Sequence, residues 1–512
     1  MTPEQQAASK ELYRRLRNSS CAHLWEEEVP RFNRAIAPDR LQAVAVIRAV
    51  GVVFSEMGTA AQKREARRWL RELLHDPSEK IRRYAMTALP KLGADPTDEG
   101  EVLALLSETT ADRERKYLAR TLEKIGGTAT LEALQRQGGG GLSQTELKVR
   151  ASVARRQEPS AIRMGRVFSA PGMRVHLRCR DGLEEIVREE VEAQGNFRVA
   201  KVSRGVVTVT CPEPFTLGDV YAMRCFATAG FELGEVRYAP DEMDALATVM
   251  TSPLARQFLE TFTEGSVRYR LEFVGRGHQR GAVRLLANKA YARCPEMLND
   301  PKEAPWSMWI HPTAVGSVVE LAPRLRPDPR FAYRRDDVPA ASHPPLAASL
   351  ARVSGSLQDA VVWDPFCGSG LELIERSLLG GVQKVYGTDL SPKAVAVAEA
   401  NFAAANVPAV QASFLCSDFR DFPRIQGLAS GGADLIITNP PMGKRVPVAD
   451  LVGLIAGLFA AAAAVLRPGG RLVFTNPLPL ENAERSLAFV SRTAVDLGGL
   501  ECRLEVYRKV GR

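Results

Sequence analysis

From Val361 onward the chain alternates short apolar runs with helical patterns, and this alternation leaves little choice of fold. Val361-Val362-Trp363 reads as a strand ending at Asp364, followed by Pro365-Phe366-Cys367-Gly368-Ser369-Gly370 and a helix over Leu371 to Leu379. A second strand, Lys384 to Gly387, ends at Asp389-Leu390, after which Ser391-Pro392 opens a helix to Asn406. A third, Val410 to Leu415, ends at Asp418-Phe419, and a fourth, Ala433 to Thr438, ends at Asn439-Pro440-Pro441-Met442. Strands separated by helices join one sheet as parallel neighbours, and an open parallel sheet binds its ligands outside the carboxyl ends of the strands. All four polar ends therefore fall on one edge. Downstream, Asp450 to Leu466 reads as a helix, Arg467 to Gly470 as a turn and Arg471 to Thr475 as a strand, with Asn476-Pro477 shaping the rim. Arg503 to Tyr507 closes the sheet as an antiparallel strand. The expectation is a C-terminal α/β, Rossmann-like sheet over residues 329–512.

The glycine loop narrows the ligand. Gly368 and Gly370 stand without the third glycine of the dinucleotide fingerprint, and an acid, Asp364, precedes them. A carboxylate there suits an ammonium group and no pyrophosphate, as in the aminoacyl end of S-adenosylmethionine. Asp389, about 25 residues on, can accept both hydroxyls of a ribose, and Asp418 can accept from an adenine amino group. Phe366, Cys367, Leu390 and Phe419 flank these acids as further cofactor-binding candidates. Asn439 offers a side-chain carbonyl and Pro440 a backbone carbonyl, enough to accept both N–H bonds of an exocyclic amine and help localise its lone pair. A sulfonium is already a potent electrophile, so alignment suffices and no metal is required.

The other regions read differently. From Glu11 to about Leu134 apolar residues recur at three- and four-residue spacing. Tyr84, Leu89, Leu92 and Gly93 return as Tyr117, Leu122, Ile125 and Gly126, an offset of about 33 residues. This resembles HEAT-type repeats, whose turns often carry an Asp-Pro pair such as Asp76-Pro77; the alternative is an irregular helical bundle. Arg64, Arg67, Arg68, Arg71, Arg82 and Arg83 suggest a basic face, or simply a solvated one, and the repeats a surface for a protein partner. Gln135 to Leu142, with glycines at 138–141, marks a boundary, and Ser169 to Gly172 a second. Beyond it an α+β pattern follows: a strand Arg174 to Arg178, a helix Gly182 to Gln194, and strands Phe197 to Val202 and Gly205 to Cys211. Next come a helix Leu254 to Phe262, a strand Arg268 to Val274 and a helix Gln279 to Tyr291. Across Arg268 to Arg335 arginines interleave with Tyr269, Trp306, Trp309, Phe331 and Tyr333, a mixture suited to phosphates and unstacked bases, or an ordinary arginine-rich surface. The expected division is 1–160 helical repeats, 173–240 and 241–328 two α+β regions, and 329–512 the catalytic sheet.

Composition excludes several classes. The eight cysteines are scattered without C-x-x-C pairs, which suits a reduced compartment and argues against a zinc site. The N-terminal residues show no signal-peptide pattern, and Leu451 to Leu466 is too short and alanine-rich to span a bilayer, so a cytoplasmic protein with no membrane association is expected. A net charge of +8 favours an acidic partner such as nucleic acid.

Asp364 to Gly370 and Asn439 to Met442 resemble motifs I and IV of the class I amino-methyltransferases. The α+β middle region, Arg330-Phe331-Ala332-Tyr333-Arg334 and Ser342-His343-Pro344-Pro345-Leu346-Ala347 are similar in layout to the THUMP-containing RNA guanine-N2 methyltransferases. The resemblance implies a ferredoxin-like domain over 173–240, a THUMP-like RNA-binding region over 241–328, S-adenosylmethionine as cofactor, and guanine N2 of tRNA or rRNA as the methyl acceptor. Asn439, Pro440, Pro441 and Met442 are then the catalytic residues, and Lys444, Arg445, Arg330 and Arg334 candidate grips for RNA phosphates. One departure stands out: the family follows Asn-Pro-Pro with an aromatic ring that stacks on the flipped base, and this chain has Met442. Adenine N6, a protein glutamine amide, or a non-catalytic RNA-binding scaffold are the competing readings.

Overall fold

The computed structural model describes residues 3–511 except 94, 137–142, 278, 340, 426–427, 429–430, 444–446 and 481. The expected glycine linker at 138–141 and the candidates Lys444 and Arg445 lie outside the described residues. The chain divides into two compact units, one of Met1–Ala161, Glu264–Arg270 and Arg284–Ala304, the other of Ile162–Thr263, Leu271–Val283 and Pro305–Arg512. Among the described residues no helix is long and apolar enough to cross a membrane.

The first unit is built on helices, and its repeats go one copy further than the sequence pattern reveals. Ala45–Met57 pairs with Ala60–Glu72, Glu79–Ala88 is followed by Pro96–Glu108, and Asp112–Ile125 by Thr128–Arg136. The first helices of successive pairs pack on one another around buried Ile47, Val50, Phe54, Ile81, Leu89, Leu118 and Leu122. At Gly51 an added Cβ would stand 2.8 Å from that of Ala88, which explains why this copy lacks the tyrosine of the other two. The period also shows in the turns. Arg82 donates to the Asp76 carbonyl at 2.8 Å, and Arg115, 33 positions later in the sequence, donates to the equivalent Thr109 carbonyl at 3.2 Å. Both satisfy carbonyls that a helix end leaves open. The expected basic face is largely spent inside the unit: Arg67 and Arg71 face Asp95 and Asp98, Arg82 pairs with Glu114 at 2.6 Å, and Arg83 with Glu79. Only Arg64 and Arg68 of the six stand exposed.

In the second unit an antiparallel sheet runs in the order Trp306–Pro312, Gly316–Pro323, Thr228–Arg237, Arg174–Arg178, Val206–Thr210, Arg198–Ser203. Strand alternation sends Val175, Leu177, Phe231, Val207 and Val209 into an apolar layer that Phe168, Phe215, Phe258 and Phe262 complete. The other face is polar. There Glu320, almost fully buried, accepts from His176 Nδ1 at 2.6 Å and Arg178 at 2.8 Å, with His311 3.4 Å away and the Arg178 guanidinium over Trp309. Of the aromatics expected to stack on bases, Trp306 is buried and donates to Thr263 Oγ1 at 2.9 Å, and Phe331 and Tyr333 are buried too. Of the four such aromatics in this unit, Trp309 alone is not buried.

The C-terminal sheet follows the expected alternation. We label its elements α1 (Pro344–Val353), β1 (Ala360–Asp364), α2 (Leu371–Leu378), β2 (Val382–Asp389), α3 (Pro392–Ala405), β3 (Gln411–Cys416), β4 (Ala433–Thr438), α4 (Leu451–Val465), β5 (Leu466–Asn476), β6 (Leu487–Asp496) and β7 (Glu501–Lys509). The strand order is β3-β2-β1-β4-β5-β7-β6, parallel from β3 to β5, with β7 antiparallel to both β5 and β6. The antiparallel closing strand is as read from the sequence; β6 is an addition, and β5 starts five residues before the expected Arg471 and contains the expected turn. Direct side-chain bonds join this sheet to the middle region within the unit. Arg224 grips Glu375 of α2 with two bonds of 2.7 and 2.9 Å, the Tyr333 hydroxyl donates to the same carboxylate, and Arg352 of α1 donates to Glu190 at 3.5 Å.

Candidate active site

The four polar strand ends meet in one cleft of about 710 Å³, within the range of cofactor sites. Asp389, Asp418 and Asn439 line it, as do Phe366, Cys367, Gly368, Leu390, Phe419, Pro440, Pro441 and Met442, while Asp364 is buried behind the lining residues Pro365 and Phe366 that follow it. Gly370 does not line the cleft; it caps α2 with φ of 81°, and a Cβ there would press on Ala398 of α3 at 3.2 Å. A glycine is needed on both counts.

The loop after β1 is laced to its neighbours. Cys367 N–H donates to the Thr388 carbonyl at 2.9 Å, Gly368 N–H to Asp389 Oδ2 at 3.1 Å, and Asn401 of α3 donates to the Ser369 carbonyl at 3.0 Å. The second Asp389 oxygen accepts from Ser391 N–H at 2.9 Å, so the carboxylate is fixed in orientation and keeps lone pairs for a diol. Asp364 is fully buried; its Oδ1 accepts from Phe366 N–H at 3.0 Å, while Oδ2 has only the Thr438 hydroxyl beside it, outside good hydrogen-bond geometry, and the Ser369 hydroxyl has no partner among the described residues. Burial pushes the Asp364 carboxyl well above the usual range, and Glu372 and Asp389 push it further. A buried acid left short of a partner beside a glycine loop is what an ammonium ligand would satisfy. Leu390, 73 % exposed, lines the same cleft as Phe366 and Phe419, whose ring centroids are 4.8 Å apart. Asp418 accepts from Arg420 N–H at 2.9 Å and is paired with its guanidinium at 3.1 Å.

Asn439 sits at the C-terminal end of β4 in a chain of hydrogen bonds that sequence reading did not foresee. Its Nδ2 donates to Ser342 Oγ at 2.8 Å, the Ser342 hydroxyl donates to Glu372 of α2, and the Thr475 hydroxyl at the end of β5 donates to Asn439 Oδ1. Glu372 lines the cleft and is almost wholly buried; burial, opposed by the Ser342 bond, raises its carboxyl to about 7. His343, also on the wall, is lowered to about 4 by burial and by Arg180, Arg334 and Arg330, so the ring is neutral at pH 7. Ser342 and His343 fall in the segment that carried the resemblance; Glu372 and Thr475 look in sequence like any helical acid and any strand threonine.

Met442 lines the cleft, with its Sδ 3.5 Å from the Cys502 Sγ. Arg330 and Arg334 are not brought there. Arg330 is buried; its guanidinium binds Asp328 and the carbonyls of Met223 and Phe226 and lies over the Phe226 ring at 4.2 Å. Arg334 pairs with Asp337.

Residues 332–493 match the family model described as UPF0020, an RMKL-like methyltransferase domain. Two curated relatives, the ribosomal protein L11 methyltransferases of Teredinibacter turnerae and Thiobacillus denitrificans, are each 28 % identical, over 182 and 207 residues. Those stretches are 35 % and 40 % of this chain and 53 % and 60 % of the relatives, so the chain spans little more than half of the proteins it matches. Among solved structures, TrmN from Thermus thermophilus superposes with a TM-score of 0.53 at 20 % identity, over 66 % of this chain and 100 % of that one. A possible methylase from Clostridium difficile 630 gives 0.51 at 17 % identity, over 67 % and 98 %. SMU.472, a putative methyltransferase complexed with SAH, gives 0.50 at 15 %, over 68 % and 99 %. The fold is that of an S-adenosylmethionine-dependent methyltransferase domain preceded by a mixed-sheet region.

Proposed function

We propose that the protein transfers a methyl group from S-adenosylmethionine to an exocyclic amino nitrogen of an RNA base, guanine N2 in tRNA or rRNA. The observation that carries the reading is the placement of Asn439 in the same cleft as the strand-end acids Asp389 and Asp418, with Asp364 buried at the end of β1, the strand that pairs with β4. When bound, the cofactor supplies an electrophilic methyl group on a sulfonium. The residues present fit it: Ser369 Oγ has no partner among the described residues, Asp364 Oδ2 has only a poorly placed Thr438 hydroxyl, Asp389 holds lone pairs for a ribose, and Leu390 with Phe366 flanks the place of a purine. Asn439 Oδ1 and the Pro440 carbonyl then accept the two N–H bonds of the target amine and aim its lone pair. No strong base is needed before attack; the proton leaves once the amine nitrogen has become positive. Pro441 and Met442 close on the flipped base, the thioether serving in place of a ring.

RNA is favoured by the net charge of +8 and by a middle sheet whose open face presents Arg178, Trp309 and His311. Guanine follows from the layout shared with the guanine-N2 family. A second reading, methylation of a protein amino or amide group, is favoured by the likeness to ribosomal protein L11 methyltransferases. Radiolabelled S-adenosylmethionine with RNA from a methylation-poor host, followed by nucleoside analysis, decides between them. Label in N2-methylguanosine that disappears with Asn439→Ala is the expected result; label in another nucleoside would discard guanine, and label only in protein would select the second reading.

A further inference from the structure

We propose that Glu372, acting through Ser342, sets which way the Asn439 amide faces, and so whether the methyl-accepting amine meets a carbonyl or an NH2 group. The inference rests on the reading of Asn439 as acceptor of the amine's N–H.

The logic is one of proton counting. The Ser342 hydroxyl has a single proton to give. An ionised carboxylate can only accept, so Ser342 donates to Glu372 and its lone pairs are left to accept Asn439 Nδ2, at 2.8 Å. With its NH2 turned to Ser342, Asn439 must present Oδ1 to the other side, where the Thr475 hydroxyl donates to it and one lone pair remains for substrate. A protonated Glu372 reverses the chain. Its O–H donates to Ser342 Oγ, the Ser342 proton is freed to be given to Asn439, and the amide satisfies it by turning its carbonyl toward Ser342. The NH2 group then faces Thr475 and the cleft, donor against the donor N–H bonds of an amine. A hydroxyl between two groups that can each donate or accept transmits this choice without any movement of the backbone.

The surroundings bias the choice near neutrality. Asp364 at the end of β1 and Glu375 one turn along α2 are the nearest acids, with Glu375 offset by Arg224. From the other elements packed on α2, Asp389 of β2, Lys393 of α3 and His343 at the start of α1 line the same cleft, and Cys367 lies in the loop between β1 and α2. With burial raising Glu372 to about 7, both forms are populated at physiological pH. Ser342 and Glu372 are positioning residues: neither needs to touch the reacting atoms.

Two measurements on the full chain test this. In the first, the kcat of RNA methylation is followed from pH 5.5 to 9. The wild type should lose activity on the acid side with a midpoint near 7, and Glu372→Gln, which cannot titrate, should flatten that limb. Ser342→Ala should lower kcat by about tenfold with the KM for RNA unchanged, since only alignment is lost. An acid limb that persists in Glu372→Gln would overturn the proposal. In the second, the Glu372 carboxyl is titrated by 13C NMR without cofactor or RNA. Coupling between two sites is reciprocal, so Asn439→Ala should shift the Glu372 midpoint upward, and should cause no shift when Ser342 is already alanine. A midpoint indifferent to Asn439 would overturn the proposal. If the wild type methylates no RNA at any pH, the functional reading fails alone, because the NMR titration still decides whether Glu372 and Asn439 are linked.

Discussion

At the scale of single residues, the proposed function separates groups that would hold the cofactor from groups that would aim the substrate. Asp364→Asn should weaken S-adenosylmethionine binding, read by calorimetry, while Asn439→Ala should leave that binding intact and reduce methyl transfer by at least about a hundredfold, the usual scale for lost alignment of a reacting group. Met442→Tyr places a ring where the proposed function puts the flipped base. Stacking on an aromatic side chain contributes about 1–3 kcal/mol per base, so the KM for RNA should fall about tenfold if the position meets the base; an unchanged KM would place the base elsewhere. The buried acids also tie stability to pH. A carboxyl whose folded value is raised stabilises the protein below its unfolded value and loses that contribution as pH rises through the folded one. For Glu372 the window runs from 4.5 to about 7. The ligand-free protein should therefore melt at a lower temperature at pH 8 than at pH 5.5 on this account. The ammonium of S-adenosylmethionine relieves Asp364 most when that acid is charged, so the melting shift it produces should be larger at pH 8; a shift independent of pH would remove Asp364 from the ammonium site.

At the scale of elements, what could be read from the sequence depended on whether a segment's neighbours were written into its own pattern. Strands β1, β2 and β4 are apolar runs punctuated by Gly, Pro and Asp because their central residues are buried in the sheet, and β3, a partly exposed edge strand, was legible from its place in the alternation. Strand β6 is exposed along most of its length and shows no alternation; only its register with β7 defines it. Thr228–Arg237 carries two glycines that read as breaks. The structure gives the reason for one: a Cβ on Gly230 would stand 2.0 Å from Glu320 Oε2 and 2.7 Å from Arg178. Gly230→Ala should accordingly displace the buried carboxylate and destabilise the protein by about 3 kcal/mol, measurable by urea denaturation. The same cluster has its own pH window. Burial opposes charge on His176, but its bonds to Glu232 and Glu320 outweigh it and raise the ring to about 9; Glu320, despite burial, is held below the usual carboxylate range by His176, His311 and Arg178. The His176 contribution is full below about 6.5 and lost as pH rises through 9, and the Glu320 contribution is present above 4.5 and lost on acidification. His176→Gln should flatten the fall in stability between pH 7 and 9.5. Arg330 shows the converse limit of sequence reading: an arginine in a basic, aromatic stretch looks like a phosphate grip, and only its burial on Asp328 and two carbonyls shows that it clamps the fold.

At the scale of the molecule, the chain is not three beads in sequence order. The unit that begins with the repeats also takes in Glu264–Arg270 and Arg284–Ala304 from the middle of the chain. Within it, the Tyr291 hydroxyl donates to Glu146 at 3.3 Å and the Arg150 guanidinium lies over the Tyr291 ring. A truncation that removes residues through 136 but keeps the helix Ser143–Gln157 should stay soluble and cooperative in melting, whereas one that also removes that helix should aggregate. Equal behaviour of the two truncations would show that the helix is dispensable. The catalytic sheet has the opposite dependence. Its helix α2, which starts at the glycine loop and carries Glu372, is held at Glu375 by Arg224 and Tyr333 from outside the β/α series. For anyone building chimaeras, this sets where the cut can fall. A donor catalytic domain joined at residue 360 would arrive without Arg224 and Tyr333, with a buried carboxylate stranded at the middle of its cofactor-binding helix. The transplantable cassette is the whole stretch of the second unit that supplies both partners, and a graft that ignores it should be rescued in part by Glu375→Gln, which takes away the orphaned charge.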